Sequence, residues 1–313
     1  MNNDKSLDGF LDHIAEGAHR DALDPEPETE ALLYNLSETD YHALGYASAS
    51  RLNLLSRSPA HLRYALDNPI KPTKAMAIGS AVHAAILEPD RFGKEWASLP
   101  EGHGSSKEVK AAKTDLVDAG FSVDRMLKPS EDAVITGMRD SVMAHPIAKD
   151  ILKSCQTEVS ALWRDPVSDV QCKSRIDALP VRDTFWDRAV VDIKTTTNAS
   201  SDEFARSAYT FGYFRQAALY LNGINYLESF PDDALDEGMR VSAQARTRFI
   251  FICVEKTAPY CVNVCELDAE ALARGQASVR RLLQAWSYCQ QNDEWGAYGN
   301  DQINTISLPH WAV

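Results

Sequence analysis

The stretch that decides the fold is Lys173–Thr195, KSRIDALPVRDTFWDRAVVDIKT. It contains most of one apolar-rich run, residues 170–179, and the whole of a second, residues 189–195, with a polar turn between them. Short runs rich in Val, Ile and other apolar residues, separated by turn residues, are typical of β-strands. The stretch therefore predicts two antiparallel strands joined by a turn.

Three charged side chains in these strands predict chemistry. Asp177 lies near the end of the first run, and Asp192 and Lys194 lie two residues apart on the second. Residues two apart on a strand share one face and lie about 6–7 Å from each other, while Val191 and Ile193 point the other way into a core. Two carboxylates beside one ammonium are costly in a dry pocket. A hard divalent cation removes that cost because it prefers oxygen ligands, so the pattern favours a metal-dependent phosphodiesterase site.

Length and composition set the class of protein. The 313 residues are 44% hydrophobic and 9% aromatic, which is typical of a folded globular protein with one large or two modest domains. No run of about 18 apolar residues occurs and the N-terminus is polar, so we expect no membrane span or secretory signal and a cytoplasmic location. The six cysteines show no CxxC spacing and are expected to be free thiols.

The negative charge is concentrated at the N-terminus. The net charge is −13, and residues 1–40 contain 11 acidic and 2 basic side chains. Residues 1–36 are predicted to form a flexible acidic arm, either a solvated leader or a segment that docks on a partner or mimics DNA. An acidic exterior with a local basic channel would still bind phosphates, so the charge does not exclude DNA.

The remaining chain is predicted to form one domain over residues 37–292 and a polar tail over 293–313. Residues 48–154 have helical periodicity, including a helix with Ser130 as its N-cap. Residues 155–292 change to the order β-β-β-α-α-β-β-α. The fold class is therefore α/β (α+β). We find no glycine-rich phosphate loop, which disfavours an ATP-driven enzyme.

Further residues could complete the site. Glu158, one strand earlier, could accept a proton from water or bind a second cation. The carbonyl of Ile193 could add an oxygen ligand. Gln216 and Tyr220 are four apart on a predicted helix, share one face, and could orient the scissile phosphate or the attacking water. Lys194 would lower the pKa of that water or balance charge in the transition state.

Other candidates have simpler alternatives. His83 lies within a predicted helix, where a single histidine is more often a core or surface residue than a ligand. Lys107 and Lys110 share the face of a polar helix, which is either a solvated face or a contact with the phosphate backbone. Arg175 and Arg215 are further candidates for DNA binding.

The combined motifs resemble a known family. They are YHALGYASASRLNLLSRSPAHLRYAL, AIGSAVHAAILEPDRF, CKSRIDALP, VVDIKTTTNAS and FGYFRQAALYLNG, and the resemblance spans about residues 38–265. Together they resemble the PD-(D/E)XK nuclease superfamily, and among its members the RecE-type exonuclease VIII proteins of phages and prophages. The resemblance implies a central mixed sheet flanked by helices, and a bacterial host cell as the place where the protein acts.

The resemblance also assigns roles to residues. It implies that Asp177, Asp192 and Lys194 are the core triad and that His83 is a metal ligand. Glu158 would be the upstream acid. Gln216 and Tyr220 would form the Q-x-x-x-Y element of RecB-like nucleases. Asp192 stands where many members have Glu, and the shorter side chain should change the metal distance rather than the chemistry.

The implied function is Mg²⁺-dependent digestion of linear double-stranded DNA from 5′ ends, with Mn²⁺ as a substitute. The exposed 3′ strand would pass to a single-strand annealing protein similar to RecT, and the protein would form homo-oligomers, possibly rings that enclose DNA. The alternatives are an endonuclease or repair nuclease of the same fold, and a catalytically silent module that binds DNA ends or a partner.

Overall fold

A six-stranded mixed sheet lies at the centre of the computed structural model, which describes residues 30–34, 36–68, 73–229, 245–299 and 303–308. The strands of this sheet are β1 (Ala31–Leu33), β4 (Cys155–Arg164), β5 (Gln171–Pro180), β6 (Ala189–Thr196), β7 (Arg248–Glu255) and β8 (Val262–Glu266). They are ordered β1-β4-β5-β6-β7-β8. Only β6 and β7 are parallel among the neighbouring pairs, as expected for strands joined through a helical connection.

Helices precede and follow these strands. The first group is α1 (Glu38–Ala43), α2 (Ala49–Leu55), α3 (Pro59–Asp67), α4 (Lys74–Leu87) and α5 (Pro89–Glu95). The second is α6 (Lys107–Asp118), α7 (Pro129–Ala144) and α8 (Pro146–Leu152), with a 3₁₀ turn at Val123–Arg125. A two-stranded parallel sheet of β2 (Ala97–Ser98) and β3 (Met126–Leu127) lies among them. The last group is α9 (Ser201–Thr210) and α10 (Tyr213–Glu228) between β6 and β7, and α11 (Ala269–Asn292) after β8.

Local sequence explains where the early helices begin. The side chains of Ser48, Ser58 and Thr73 each accept a hydrogen bond from the backbone N–H three residues later, which satisfies a donor that the first helical turn leaves free. The prediction that Ser130 is an N-cap is wrong. Lys128 takes that position because Pro129 starts α7, and the Glu131 carboxylate accepts from the Lys128 N–H at 3.0 Å.

Both faces of the central sheet are buried. Phe249, Phe251 and Cys253 of β7 point into one apolar core, which α2, α3, α10 and α11 help to form. Ile250 and Ile252 alternate with them and point into a second core, formed with α4, α7 and α8. A strand that is apolar on both sides belongs in the middle of such a three-layer arrangement. The predicted fold class, a mixed sheet flanked by helices, is confirmed.

The sheet opens between β5 and β6. The two strands pair through one residue pair, Ala178 with Val191, whereas β4 and β5 pair along nearly their full length. Beyond that pair the Ile193 N–H donates to the Asp177 carboxylate at 2.7 Å instead of to a β5 carbonyl. The gap admits side chains to the edges of both strands.

The predicted arm over residues 1–36 needs one correction. Ala31–Leu33 form an edge strand that pairs antiparallel with Ser160–Leu162 of β4. The short apolar sequence ALL was too brief to show this pairing, which depends on the exposed edge of β4. Residues 1–29 lie outside the described part of the chain. None of the described helices combines the length and apolar character needed to cross a membrane.

Candidate active site

The register of β4 on β5 determines which acidic side chains meet. Thr157 pairs with Ala178 and Val159 with Ile176, so Glu158 lies opposite Asp177. Glu158 has a left-handed backbone conformation, with φ of 53°. This conformation is unfavourable for a residue with a Cβ and tends to occur at functional sites, where surrounding structure holds it in place.

Helix α4 brings His83 to the same place. Its buried side chains, such as Val82 and Ile86, pack into the second core and orient the helix across the sheet. His83 Nδ1 then lies 3.4 Å from Asp177 Oδ2. The ligand-type atoms of His83, Glu158 and Asp177 all lie within 4.8 Å of one another. The structure thus groups two predicted metal ligands with the predicted upstream acid.

Asp192 and Lys194 share one face of β6, as predicted. The Lys194 ammonium contacts Asp192 Oδ2, and it also lies 4.7 Å from the centre of the Tyr213 ring. Gln216 Nε2 donates to the other Asp192 oxygen at 2.5 Å. Asp192 Oδ2 is buried and accepts no well-directed hydrogen bond from the described residues, although it lies in the ion pair with Lys194.

The carboxylates of the site favour positive charge on the basic side chains beside them. Burial alone would lower the pKa of His83, but the Asp177 carboxylate beside it outweighs burial and raises the value to about 9. Burial raises the pKa of Asp192 to about 6, although Lys194 opposes this rise. Burial would likewise lower the pKa of Lys194, but the two aspartates raise it, so the lysine remains an ammonium at neutral pH.

The donor set fits a hard divalent cation. An imidazole and two carboxylates lie within reach of one ion, and a buried aspartate oxygen lacks a directed hydrogen bond. The Ile193 N–H points to Asp177, and the carbonyl of a strand residue points to the same side as its N–H, so this carbonyl also faces the cluster. His83, Glu158 and Asp177 would hold the ion, and the ion would supply Lewis acidity towards a phosphate oxygen. Asp192, also predicted as a ligand, lies outside this group and instead contacts Lys194 and Gln216.

Gln216 and Tyr220 support this cluster from α10. Both are buried and line the same cavity. Burial raises the pKa of Tyr220 well above its usual value, so its hydroxyl keeps its proton. In this structure Gln216 orients Asp192 through its hydrogen bond.

An open cavity of about 580 Å³ is lined by side chains that include His83, Glu158, Asp177, Gln216 and Tyr220, whereas Asp192 and Lys194 are not among its lining residues. Arg175 lines it, but its Nε donates to Glu158 at 2.6 Å and a terminal nitrogen donates to the Leu36 carbonyl at 3.0 Å. Arg215 Nε instead donates to Asn53 at 2.9 Å. The structure thus uses both predicted DNA-binding arginines for internal contacts. Lys107 and Lys110 lie exposed on α6, outside the residues that line the cavity.

The sequence patterns did not single out three further residues of the cavity wall. Lys173 is 3% exposed, and its ammonium donates to the carbonyls of Tyr41, at 2.5 Å, and Leu44, at 2.9 Å. Arg51 donates at 2.7 Å to the Leu44 carbonyl as well, and it also lines the cavity. These two cations fix the segment after α1, so that Tyr41 forms part of the wall. A lysine inside an apolar strand was the one local sign of this arrangement.

Comparison with known proteins places this geometry in a family. Residues 48–307 match the family described as "PDDEXK-like domain of unknown function (DUF3799)". The match covers most of the chain, and the chain belongs to that family. No curated protein matches the sequence.

A similar solved structure agrees at the level of the fold. It is the crystal structure of a "Putative exonuclease" from Eubacterium rectale, with a TM-score of 0.54 and 12% sequence identity. The similarity covers 88% of this chain and 96% of that one. The fold and the family therefore suggest a hydrolytic nuclease of the PD-(D/E)XK superfamily, with an acidic site suited to a divalent metal. The finer resemblance to RecE-type proteins stays a prediction.

Proposed function

We propose that the protein is a metal-dependent exonuclease that resects linear double-stranded DNA from 5′ ends and exposes 3′ single strands for annealing. The observation that carries the proposal is the cluster of His83, Glu158 and Asp177, with ligand atoms within 4.8 Å, beside the buried pair Asp192 and Lys194. The cluster opens into a cavity large enough for a nucleotide, so a phosphodiester could reach it.

The residues divide the work of hydrolysis. Water attacks phosphorus, the bond to one ester oxygen breaks, and negative charge grows on the phosphoryl oxygens. The Lys194 ammonium offsets that charge, and it does so in a pocket where burial strengthens the interaction. Gln216 holds Asp192 in position. Glu158 is the member of the cluster that β4 contributes, and it would accept the proton of the attacking water.

The cofactor and partners follow from the resemblance. We propose Mg²⁺ as the native ion and Mn²⁺ as a substitute, because the donor set is one imidazole plus oxygen atoms. We further propose that a RecT-like annealing protein receives the 3′ strand and that the protein assembles into a homo-oligomer, possibly a ring around DNA.

The decisive experiment is a digestion series on duplexes of one sequence. Linear duplexes labelled at the 5′ or the 3′ end are compared with covalently closed circles, in Mg²⁺ and in EDTA. The expected result is loss of the 5′ label first, intact circles, and no digestion in EDTA. Cutting of circles would show an endonuclease instead of an exonuclease. Binding of ends without cutting would favour the catalytically silent module.

A further inference from the structure

One exposed aromatic ring lies at the cavity with no role in the metal cluster. Among the large apolar side chains that the described residues leave exposed, Met76 and Phe211 are the two that line the cavity. Phe211 follows α9 and is 58% exposed. An exposed aromatic ring contributes little to the core, so core packing does not explain an aromatic residue at position 211.

The turn that presents the ring is rigidly held. Asn53 of α2 donates from Nδ2 to the Phe211 carbonyl at 2.8 Å, and its Oδ1 accepts from Arg215 Nε at 2.9 Å. Gly212 has φ of +71°, and a Cβ there would lie 2.3 Å from Asn53 Oδ1. Only glycine fits at this position, which fixes the backbone that carries Phe211.

The ring also lies close to the reacting groups. The centre of the Phe211 ring is 5.8 Å from that of Tyr213, and the Tyr213 ring in turn lies 4.7 Å from the Lys194 ammonium. Arg51 and Lys173 line the same cavity and donate to neutral backbone carbonyls, so their positive charge favours an anionic occupant. In a nucleotide, one sugar separates the phosphate from an aromatic base.

We propose that Phe211 stacks against the base of a nucleotide whose phosphate lies at the metal cluster. The inference rests on the proposed function and adds a base contact to it. Stacking on an aromatic side chain accepts every base, because each has a π-face, so the contact strengthens binding without requiring a particular sequence. It would also hold an end nucleotide apart from its pairing partner.

The test removes the base and the ring separately. Three duplexes carry a tetrahydrofuran abasic residue at the first, second or third nucleotide of the 5′ end, and a fourth is unmodified. Affinity is measured by fluorescence anisotropy in Ca²⁺, and digestion in Mg²⁺. In the wild type, one of the abasic positions should weaken binding by about 10-fold.

The ring variant should abolish that difference. In Phe211→Ala the ratio between the unmodified and abasic duplexes should fall to about one, and Phe211→Trp should restore it. Phe185→Ala is the matched control, because Phe185 is 81% exposed but does not line the cavity. Its ratio should equal that of the wild type. A ratio that Phe211→Ala leaves unchanged, or a wild-type ratio of one at all three positions, would overturn the inference.

The two readouts separate this inference from the proposed function. Binding with the expected ratios but no digestion in Mg²⁺ would refute the nuclease and leave the base contact standing. Digestion with no dependence on the base would refute the contact alone. Absence of DNA binding would refute both.

Discussion

Metal binding should release a proton from His83. Burial opposes the charge on this imidazole, but Asp177 outweighs it and raises the pKa to about 9, so the metal-free protein carries an imidazolium at pH 7. A histidine can bind a metal ion only when its imidazole is neutral. Each ion that binds through His83 must therefore displace one proton.

The size of the effect follows from that pKa. A pH of 7 is about two units below the pKa of this imidazole. Displacing its proton therefore costs about 3 kcal/mol, which weakens the metal affinity by about 100-fold. The direction of the pH dependence follows from the form of His83 that binds the ion, which is the neutral imidazole. The neutral fraction grows as the pH rises towards 9, so the apparent affinity for Mn²⁺ should increase about tenfold per pH unit between pH 6.5 and 8.5.

Calorimetric titration with Mn²⁺ in buffers of different ionisation enthalpy measures this release directly. At pH 7 the wild type should release about one proton per ion. His83→Ala should bind more weakly and release almost none. His42→Ala is the control, since His42 lines the same cavity but burial lowers its pKa despite the nearby Glu38.

A wild type that releases no proton, or a His83→Ala variant that releases as many as the wild type, would refute the reasoning. Either result would mean that His83 does not bind the ion. An affinity that stays constant from pH 6.5 to 8.5 would have the same meaning.

Other expected outcomes concern catalysis, packing and the N-terminus. Asp192→Ala and Lys194→Ala should each slow digestion of a labelled duplex by at least about 100-fold while circular dichroism shows an intact fold. Gly223→Ala should destabilise the protein by about 2 kcal/mol in urea unfolding, because a Cβ there would lie 2.5 Å from the Trp163 ring. Removal of residues 1–29 should leave digestion of linear duplex unchanged.

Matched variants make these outcomes decisive. Gly79→Ala adds a methyl where nothing lies within 4 Å, so it should not destabilise its helix, and equal loss in both glycine variants would contradict the packing argument. Full activity in Asp192→Ala or Lys194→Ala would end that residue's assignment. Removal of residues 1–36 should reduce digestion of linear duplex, because it takes away β1 and the Leu36 carbonyl that accepts a hydrogen bond from Arg175.

Local patterns predicted much of this chain. Short apolar-rich runs bounded by turn residues indicated β5, β6 and β7, and helical spacing indicated α4 and α10, because apolar side chains in such patterns must be buried. The two-residue spacing of Asp192 and Lys194 already required a shared face of a strand. The pairing of Asp177 with this strand followed from the short turn between them.

Tertiary structure decided which of the candidates meet. Periodicity specifies the face of an element, but it does not specify register against another strand or the crossing of a helix from far along the chain. The β4–β5 register brings Glu158 opposite Asp177, and α4 brings His83 from about 90 residues away in sequence. In the same packing the Arg175 side chain donates a hydrogen bond to Glu158 instead of pointing into solvent. Long-range packing thus assembled the site, because those contacts join residues that no local pattern connects.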